Sequence, residues 1–502
     1  MVAATMVLQY ARGIGGFIVS VKKIPTDIWT SVLGPLAYGV QGFDEAELDQ
    51  LSQAVMAHTR RCVRLSPATR PAQLPFATTD VPWWPQGQFL CDSSIRPGAW
   101  LQYVAGDYAI QDAASLLPLA LLPPRMLTAA EGPRVCDLCA APGGKSAAIL
   151  EQLNGRGCLL SNEVIASRVD TLQLTLARTG YDNYVLANQP IERLAEDLGD
   201  QFDCVLVDAP CSGQSLVGRD KQSLSAFSTR QIEHSAARQQ TILKAAVQLV
   251  RPGGRLIYST CTFSFTENEA VMDWLCEQLP DWVRVIEPGL AAWQSPVAAG
   301  CYRLWPHRDG CHGGFAAALD RPTNGDHVRS SNLLCDQSFF STARNEKPLR
   351  GGKRLRTSVA THWHAVDPAK TDCTWGRYLT SEPLWQRGTV LNWFSPAVPT
   401  EWRALAHAGI EVAEAFGEHW HPSYPLATMQ PSQTWFQPER YVEFCDREAI
   451  GFMSGLSLPH VGQPGWAVAR WRARPLSWGK QVDAQFKNHL PKPLRQNSLT
   501  HF

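Results

Sequence analysis

The chain has no net charge to offer as a clue: 46 Lys and Arg balance 46 Asp and Glu over 502 residues. Total charge therefore gives no sign of a nucleic-acid partner. Long apolar runs are also missing. Met1–Val21 is apolar, but Arg12 interrupts it, and it lacks a basic leader and a cleavage site of small residues. It reads as neither a signal peptide nor a membrane span, and an over-extended start would explain it equally well. Fourteen cysteines are too sparse and scattered for a disulfide scaffold. Cys136 and Cys139 form a C-x-x-C with no second pair at zinc-ribbon spacing, so no metal is expected. No repeat of period 20–50 is visible. The expectation is a soluble, reducing, cytoplasmic protein without a membrane partner.

What is present is globular: 45% hydrophobic and 18% charged residues, in a chain long enough for two to four domains. The balanced charge is unevenly spread. Residues 131–320 hold 16 basic and 22 acidic side chains, whereas 451–502 hold 7 basic against Asp483 alone. A basic tail is a reason to look for a polyanion. Four regions are expected. Residues 1–128 mix short helices with Pro-rich punctuation, and 129–320 alternate apolar runs with amphipathic helices. Residues 321–370 form a basic linker around Gly351–Arg356. Residues 371–502 are a β-rich module, with nine of the eighteen tryptophans between 371 and 500.

Within 129–320 the apolar runs predict an α/β sheet. Strands are expected at Val135–Leu138, Cys158–Asn162, Tyr184–Ala187, Cys204–Val207, Arg255–Ser259, Val283–Ile286 and Gly314–Ala318. A helix from about Thr229 to Val250 is expected to stop at Pro252-Gly253-Gly254. In open parallel sheets the ligand sits beyond the carboxyl ends of the strands. The Gly-rich turn Cys139–Lys145, Glu163, Asp208, Cys211 and Cys261 all fall there. The turn is not a Walker A loop, because Cys139 holds the leading glycine position, and it is not a full G-x-G-x-x-G. With Glu163 placed to accept from ribose hydroxyls, S-adenosylmethionine fits better than NAD.

Two thiols at neighbouring strand ends narrow the chemistry. Methylating an amine or hydroxyl needs no thiol. Methylating C5 of a pyrimidine does, because a thiolate must add to C6 before C5 becomes nucleophilic, and a base must later remove the C5 proton. A free thiol near pKa 8.5 is mostly protonated at pH 7, so the pocket must favour thiolate, and Lys145 is a candidate source of positive potential. Asp208 is placed to hydrogen-bond the edge of the base. Two buried structural cysteines are the plain alternative.

Three runs resemble the Nop/Sun family of RNA (cytosine-5)-methyltransferases: Asp137–Lys145, Asp208-Ala209-Pro210-Cys211-Ser212-Gly213, and Tyr258–Thr262 followed by Glu267-Asn268-Glu269. Tyr108–Ser115 and Gly313–Ala317 are similar to the family's upstream motif and closing strand. The resemblance implies a Rossmann-like class I methyltransferase with a seven-stranded, mostly parallel sheet and an N-terminal α+β RNA-binding region. It also implies Cys261 as nucleophile and Cys211 as the thiol that assists release, the reverse of the DNA enzymes. The cofactor would be held by Cys139, Ala140, Ala141, Pro142, Gly143, Gly144, Lys145, Glu163, Arg168 and Asp208. Two positions depart from the family pattern. Asn188-Gln189-Pro190 stands where an Asp is usual, leaving Gln189 to take the adenine amine, and Thr175 replaces an Asn.

From about Trp375 the chain is similar to the PUA-like module of the bacterial RsmF-like branch, most closely at Pro475–Lys480 and Phe486–Lys492. Lys480, Lys487, Lys492 and Arg495 beside aromatics suit RNA, with Arg64 a further candidate near Arg60 and Arg61. The branch implies a cytidine in 16S ribosomal RNA, and a monomer is the expected state of the chain. The competing readings are an inactive ribosome-assembly factor, a cytosine-5 enzyme using Cys211 as nucleophile, and a nucleotide hydrolase using Lys145, which fails on Cys139.

Overall fold

The computed structural model describes residues 24–37, 43–57, 59–127, 132–219, 222–323, 363–368, 371, 375–380, 382–417, 419–430 and 435–499. Met1–Val21 and the basic run Gly351–Arg356 lie outside the described residues.

The centre is a nine-stranded sheet. Its strands are β1 (Arg134–Asp137), β2 (Cys158–Asn162), β3 (Tyr184–Ala187), β4 (Phe202–Asp208), β5 (Val250–Thr260), β6 (Val283–Arg284), β7 (Cys301–Leu304), β8 (Gly314–Asp320) and β9 (Ala406–Ala408). The order is β6-β8-β5-β4-β1-β2-β3-β9, with β7 paired to β8. Strands β3, β2, β1, β4 and β5 run parallel. The other four pair antiparallel at the two edges. Every position of β2 is buried, as expected where helices cover both faces of a parallel sheet. Successive residues alternate between two cores: Val135, Leu159 and Leu206 pack on one face, and Cys136, Leu160 and Val205 on the other.

All seven expected strands are present, and two more join them. Cys301–Leu304 pairs with β8. Ala406–Ala408 comes from the C-terminal region and caps the open edge of β3, with Ala406 opposite Ala187. No local pattern in a three-residue strand announces that pairing. The expected stop at Pro252-Gly253-Gly254 needs correcting. The long helix ends at Leu249 and β5 starts at Val250. The register between β4 and β5 shifts at Phe202/Cys204, and that irregularity accommodates a proline that could not sit in an unbroken ladder.

Five helices matter for the site: α1 (Gly144–Leu153), α2 (Ala166–Ala177), α3 (Thr229–Leu249), α4 (Glu269–Gln278) and α5 (Thr400–Leu405). The N-terminal region carries a four-stranded antiparallel sheet of Thr78–Val81, Trp84–Leu90, Cys62–Leu65 and Tyr108–Ile110. The C-terminal region builds two five-stranded sheets. His364–Val366, expected within the linker, is an edge strand of the first, paired to Leu384–Arg387. The second contains Tyr441–Phe444, Gly465–Trp471, Arg474–Val482 and Gln485–Asn488. Most C-terminal tryptophans are core, not base-stacking platforms: Trp375, Trp393, Trp402, Trp471 and Trp478 are fully buried. Trp393 stacks on Trp435 at 4.5 Å and Trp402 on Phe202 at 4.9 Å.

Candidate active site

Strands β4 and β5 are parallel neighbours with Asp208 opposite Ser259, so the loops leaving them run side by side. The N–H of Ala209 donates to the Ser259 carbonyl at 2.8 Å. One step further, the Cys211 and Cys261 sulfurs lie 3.2 Å apart. A frame beneath them keeps both loops in place. Glu267, fully buried, accepts from the Ser212 N–H at 2.9 Å, the Ser212 hydroxyl at 2.5 Å and Gln239 of α3 at 2.9 Å. Asn268 accepts from Thr260 Oγ1 at 2.6 Å and donates to the Thr262 carbonyl at 3.0 Å. Burial pushes the Glu267 carboxyl above the usual range against the pull of these donors.

Lys145, in the first turn of α1, places Nζ 2.7 Å from Asp208 Oδ2, and Ser259 Oγ donates to Oδ1 at 2.8 Å. Burial alone would lower the Lys145 pKa, but Asp208 holds it above the ordinary value. The two thiols are driven apart. Cys261 is lowered, first by the hydrogen bond from Cys211, then against burial by Lys145 and Ser215. Cys211 is raised by that same hydrogen bond and by burial. Lys145 is thus the nearby group that favours a thiolate at Cys261, against burial and Asp208.

Asn162 stitches the other strand tips together. Its amide donates to the Leu138 carbonyl at 3.4 Å and to the Gln189 carbonyl at 3.1 Å, and its oxygen accepts from the Gln189 N–H at 3.0 Å. Glu163 follows, 3% exposed, accepting from the Ile165 N–H at 2.9 Å and facing Arg168 at 3.1 Å. Arg168 also donates to the Ala141 carbonyl at 2.6 Å, joining the turn to the acidic residue. Gly143 adopts φ +106°, where L side chains are strained, and a Cβ there would meet Thr175 at 2.9 Å. These residues fit an adenosine-bearing cofactor. Each Glu163 oxygen keeps an acceptor site for a ribose hydroxyl. Gln189 Nε2 donates to the Leu405 carbonyl at 3.2 Å, which leaves its Oε1 as the acceptor of that amide.

The expected RNA contacts divide. Arg64 is a correction: its side chain is 2% exposed, pairs with Glu151 and donates to Gln111 at 2.8 Å. A guanidinium enclosed in that way is out of reach of a backbone phosphate. Arg60 and Arg61 are exposed beside it. Lys487 and Lys492 are exposed on the second C-terminal sheet and its trailing turn, and Lys480 lies over the Trp466 ring at 5.4 Å. Sequence reading missed Ser212, Gln239 and Leu405. Ser212 and Glu267 stand inside quoted motifs and could have been found from them. Gln239 in mid-helix and a backbone carbonyl 216 residues from Gln189 carry no local signal. Among the described residues no helix is long and apolar enough to cross a membrane, and no group of three His, Cys, Asp or Glu could hold a metal.

Residues 124–320 match the family model described as 16S rRNA methyltransferase RsmB/F, and 439–496 match the methyltransferase RsmF PUA domain. The chain is 30% identical over 436 residues to the ribosomal RNA small subunit methyltransferase F of Erwinia tasmaniensis, covering 84% of this chain and 85% of that one. It is 29% identical over 432 residues to the protein of the same name from an Escherichia coli O127:H6 strain, covering 83% and 84%. A solved methyltransferase homolog from Pyrococcus horikoshii aligns with 59% of this chain and 100% of its own, at 23% identity and a TM-score of 0.49.

Proposed function

Since the chain belongs to the RsmB/RsmF family of 16S ribosomal RNA methyltransferases, we propose that it methylates C5 of a cytidine in small-subunit ribosomal RNA through a covalent bond to Cys261. The observation that carries this mechanism is the 3.2 Å contact between Cys211 and Cys261 beside the Lys145–Asp208 pair. The cofactor is S-adenosylmethionine, which when bound supplies an electrophilic methyl group on a sulfonium. Cys139 to Lys145, Glu163, Arg168, Gln189 and Asp208 hold it.

The Cys261 thiolate adds to C6 of the cytosine. Electron density moves to C5, the position that takes the methyl group, while Asp208 hydrogen-bonds the edge of the base. Loss of the C5 proton to a base then breaks the Cys261–C6 bond, and Cys211 beside the departing sulfur assists release. The target must leave its stack to reach two thiols held in a pocket, at a cost of about a few kcal/mol. Lys480, Lys487 and Lys492 contact the RNA backbone, and the enzyme works as a cytoplasmic monomer.

Two measurements test the reading together. Radiolabelled methyl groups from S-adenosylmethionine should enter small-subunit ribosomal RNA, and bisulfite sequencing should find one cytidine protected only in cells carrying the gene. RNA binding without incorporation would favour an assembly role instead. Methylation on an exocyclic amine would remove the need for either thiol.

A further inference from the structure

Away from the thiols, a cavity of about 490 Å³ lies where the outer face of α2 meets the C-terminal strands. Asp170 and Gln173 of α2 form one side, and Phe416, His421, Trp466 and His489 bring flat rings to the other. The rings form a connected set: Phe416 stacks on His421 at 4.6 Å, and His489 meets Trp466 at 4.4 Å. Desolvation lowers His421 and, helped by His421, Lys480 and Lys487, pushes His489 down to about 4. Both imidazoles are therefore neutral near pH 7 and behave as aromatic surfaces.

The charges around the rings are sorted. Trp466 stands opposite Lys480, and Lys480 opposite Lys487, a single row across three strands. Three carboxylates lie on the cavity side. Glu411 spends its oxygens on Ser423 at 2.9 Å and Gln173 at 2.7 Å. Asp170 and Glu414 have no such donor among the described residues. Carboxylates keep phosphate out of the cavity. The lysine row, with Lys480 already lying over Trp466, disfavours a cationic guest. A nucleotide matches both halves, with its neutral base against the accessible rings of Phe416, His421 and His489 and its phosphates on the lysines. Among the bases, guanine presents two adjacent N–H donors to a single carboxylate.

We infer that this cavity receives an unstacked guanine of single-stranded RNA, its phosphates lying on Lys480 and Lys487, as a second RNA contact one helix away from the cofactor turn. The inference rests on the RNA-methyltransferase reading above. The test uses the full-length protein and fluorescein-labelled decauridine with one central guanosine, compared with plain decauridine and an inosine version. The guanosine strand should bind about tenfold more tightly than decauridine, and inosine should lose part of that gain.

Glu414→Gln, at an exposed site, should remove the guanosine preference and leave decauridine affinity unchanged. Lys480→Gln with Lys487→Gln should weaken all three strands and flatten the salt dependence. Absence of a guanosine preference in the wild type, or its survival in both Glu414→Gln and His489→Ala, overturns the assignment. Glu414-dependent capture of an arginine-rich peptide in place of RNA would overturn it in favour of a protein partner. Methyl transfer to ribosomal RNA is measured in parallel. If it is intact without a guanosine preference, only the cavity assignment falls; if no methyl is transferred, the RNA-methyltransferase reading falls as well.

Discussion

The hydroxyl of Ser212 donates to the buried carboxylate of Glu267 at 2.5 Å, so one side chain ties the loop carrying Cys211 to the loop that follows Cys261. Replacing it should separate the thiols before it unfolds the protein. Glu267→Ala strands the Ser212 N–H and the Gln239 amide in the interior, at about 1–3 kcal/mol for each group left unpaired. The denaturant midpoint should fall accordingly. Glu267→Gln keeps the volume and should cost less stability, yet still lower single-turnover methyl transfer at least tenfold. Equal losses of stability in the two variants, with turnover preserved in both, would show that the frame is not needed for the chemistry.

Cys211→Ala should accumulate protein covalently joined to RNA, visible as a slow band on denaturing gels that ribonuclease removes. Cys261→Ala should form no such band. The reverse pattern would make Cys211 the nucleophile and assign the release step to Cys261.

The thiol must lose its proton before it attacks, so single-turnover rates should rise with pH and level off above the Cys261 pKa. That pKa lies below the ordinary thiol value, because the contact with Cys211 and the positive potential of Lys145 favour the thiolate. Lys145→Met removes the Lys145 contribution and leaves Asp208, which opposes the thiolate. The rising limb should therefore move to higher pH and the rate at pH 7 should drop, with partial recovery at alkaline pH. A uniform loss at every pH would mean that Lys145 acts elsewhere.

Gly143→Ala places a methyl group 2.9 Å from the Thr175 side chain at a backbone φ of +106°. The strain is about 1–3 kcal/mol and falls on the turn that cradles the cofactor. Calorimetric titration with S-adenosylmethionine should show roughly tenfold or greater weakening while the circular dichroism spectrum is retained. Unchanged affinity would place the cofactor away from this turn.

Much of the central sheet was legible because each of its parallel strands is an apolar run and its tips carry unusual residues. Cys211 and Cys261 could be assigned to one rim from strand-end positions alone. Their 3.2 Å contact depended on β4 and β5 being neighbours, which chain order does not dictate. Arg64 illustrates the opposite limit. A basic residue looks exposed in a sequence, but its partner Glu151 lies on α1, and only the packing of the N-terminal sheet against that helix encloses it. Gln189 is similar, since the orientation of its amide comes from Leu405 in a distant segment.

The amino-acid sequence by itself determined the class of fold, the turn that suits a nucleoside cofactor, and the presence of two thiols where a sheet binds its ligand. These follow from local periodicity and from motifs a few residues long. Tertiary structure alone decided that the two thiols touch beside Lys145 and Asp208, which basic residues reach solvent, and how C-terminal strands complete both the sheet edge and a ring-lined cavity. Those features arise between groups distant along the chain, where desolvation and facing charges act only after the chain has closed around them.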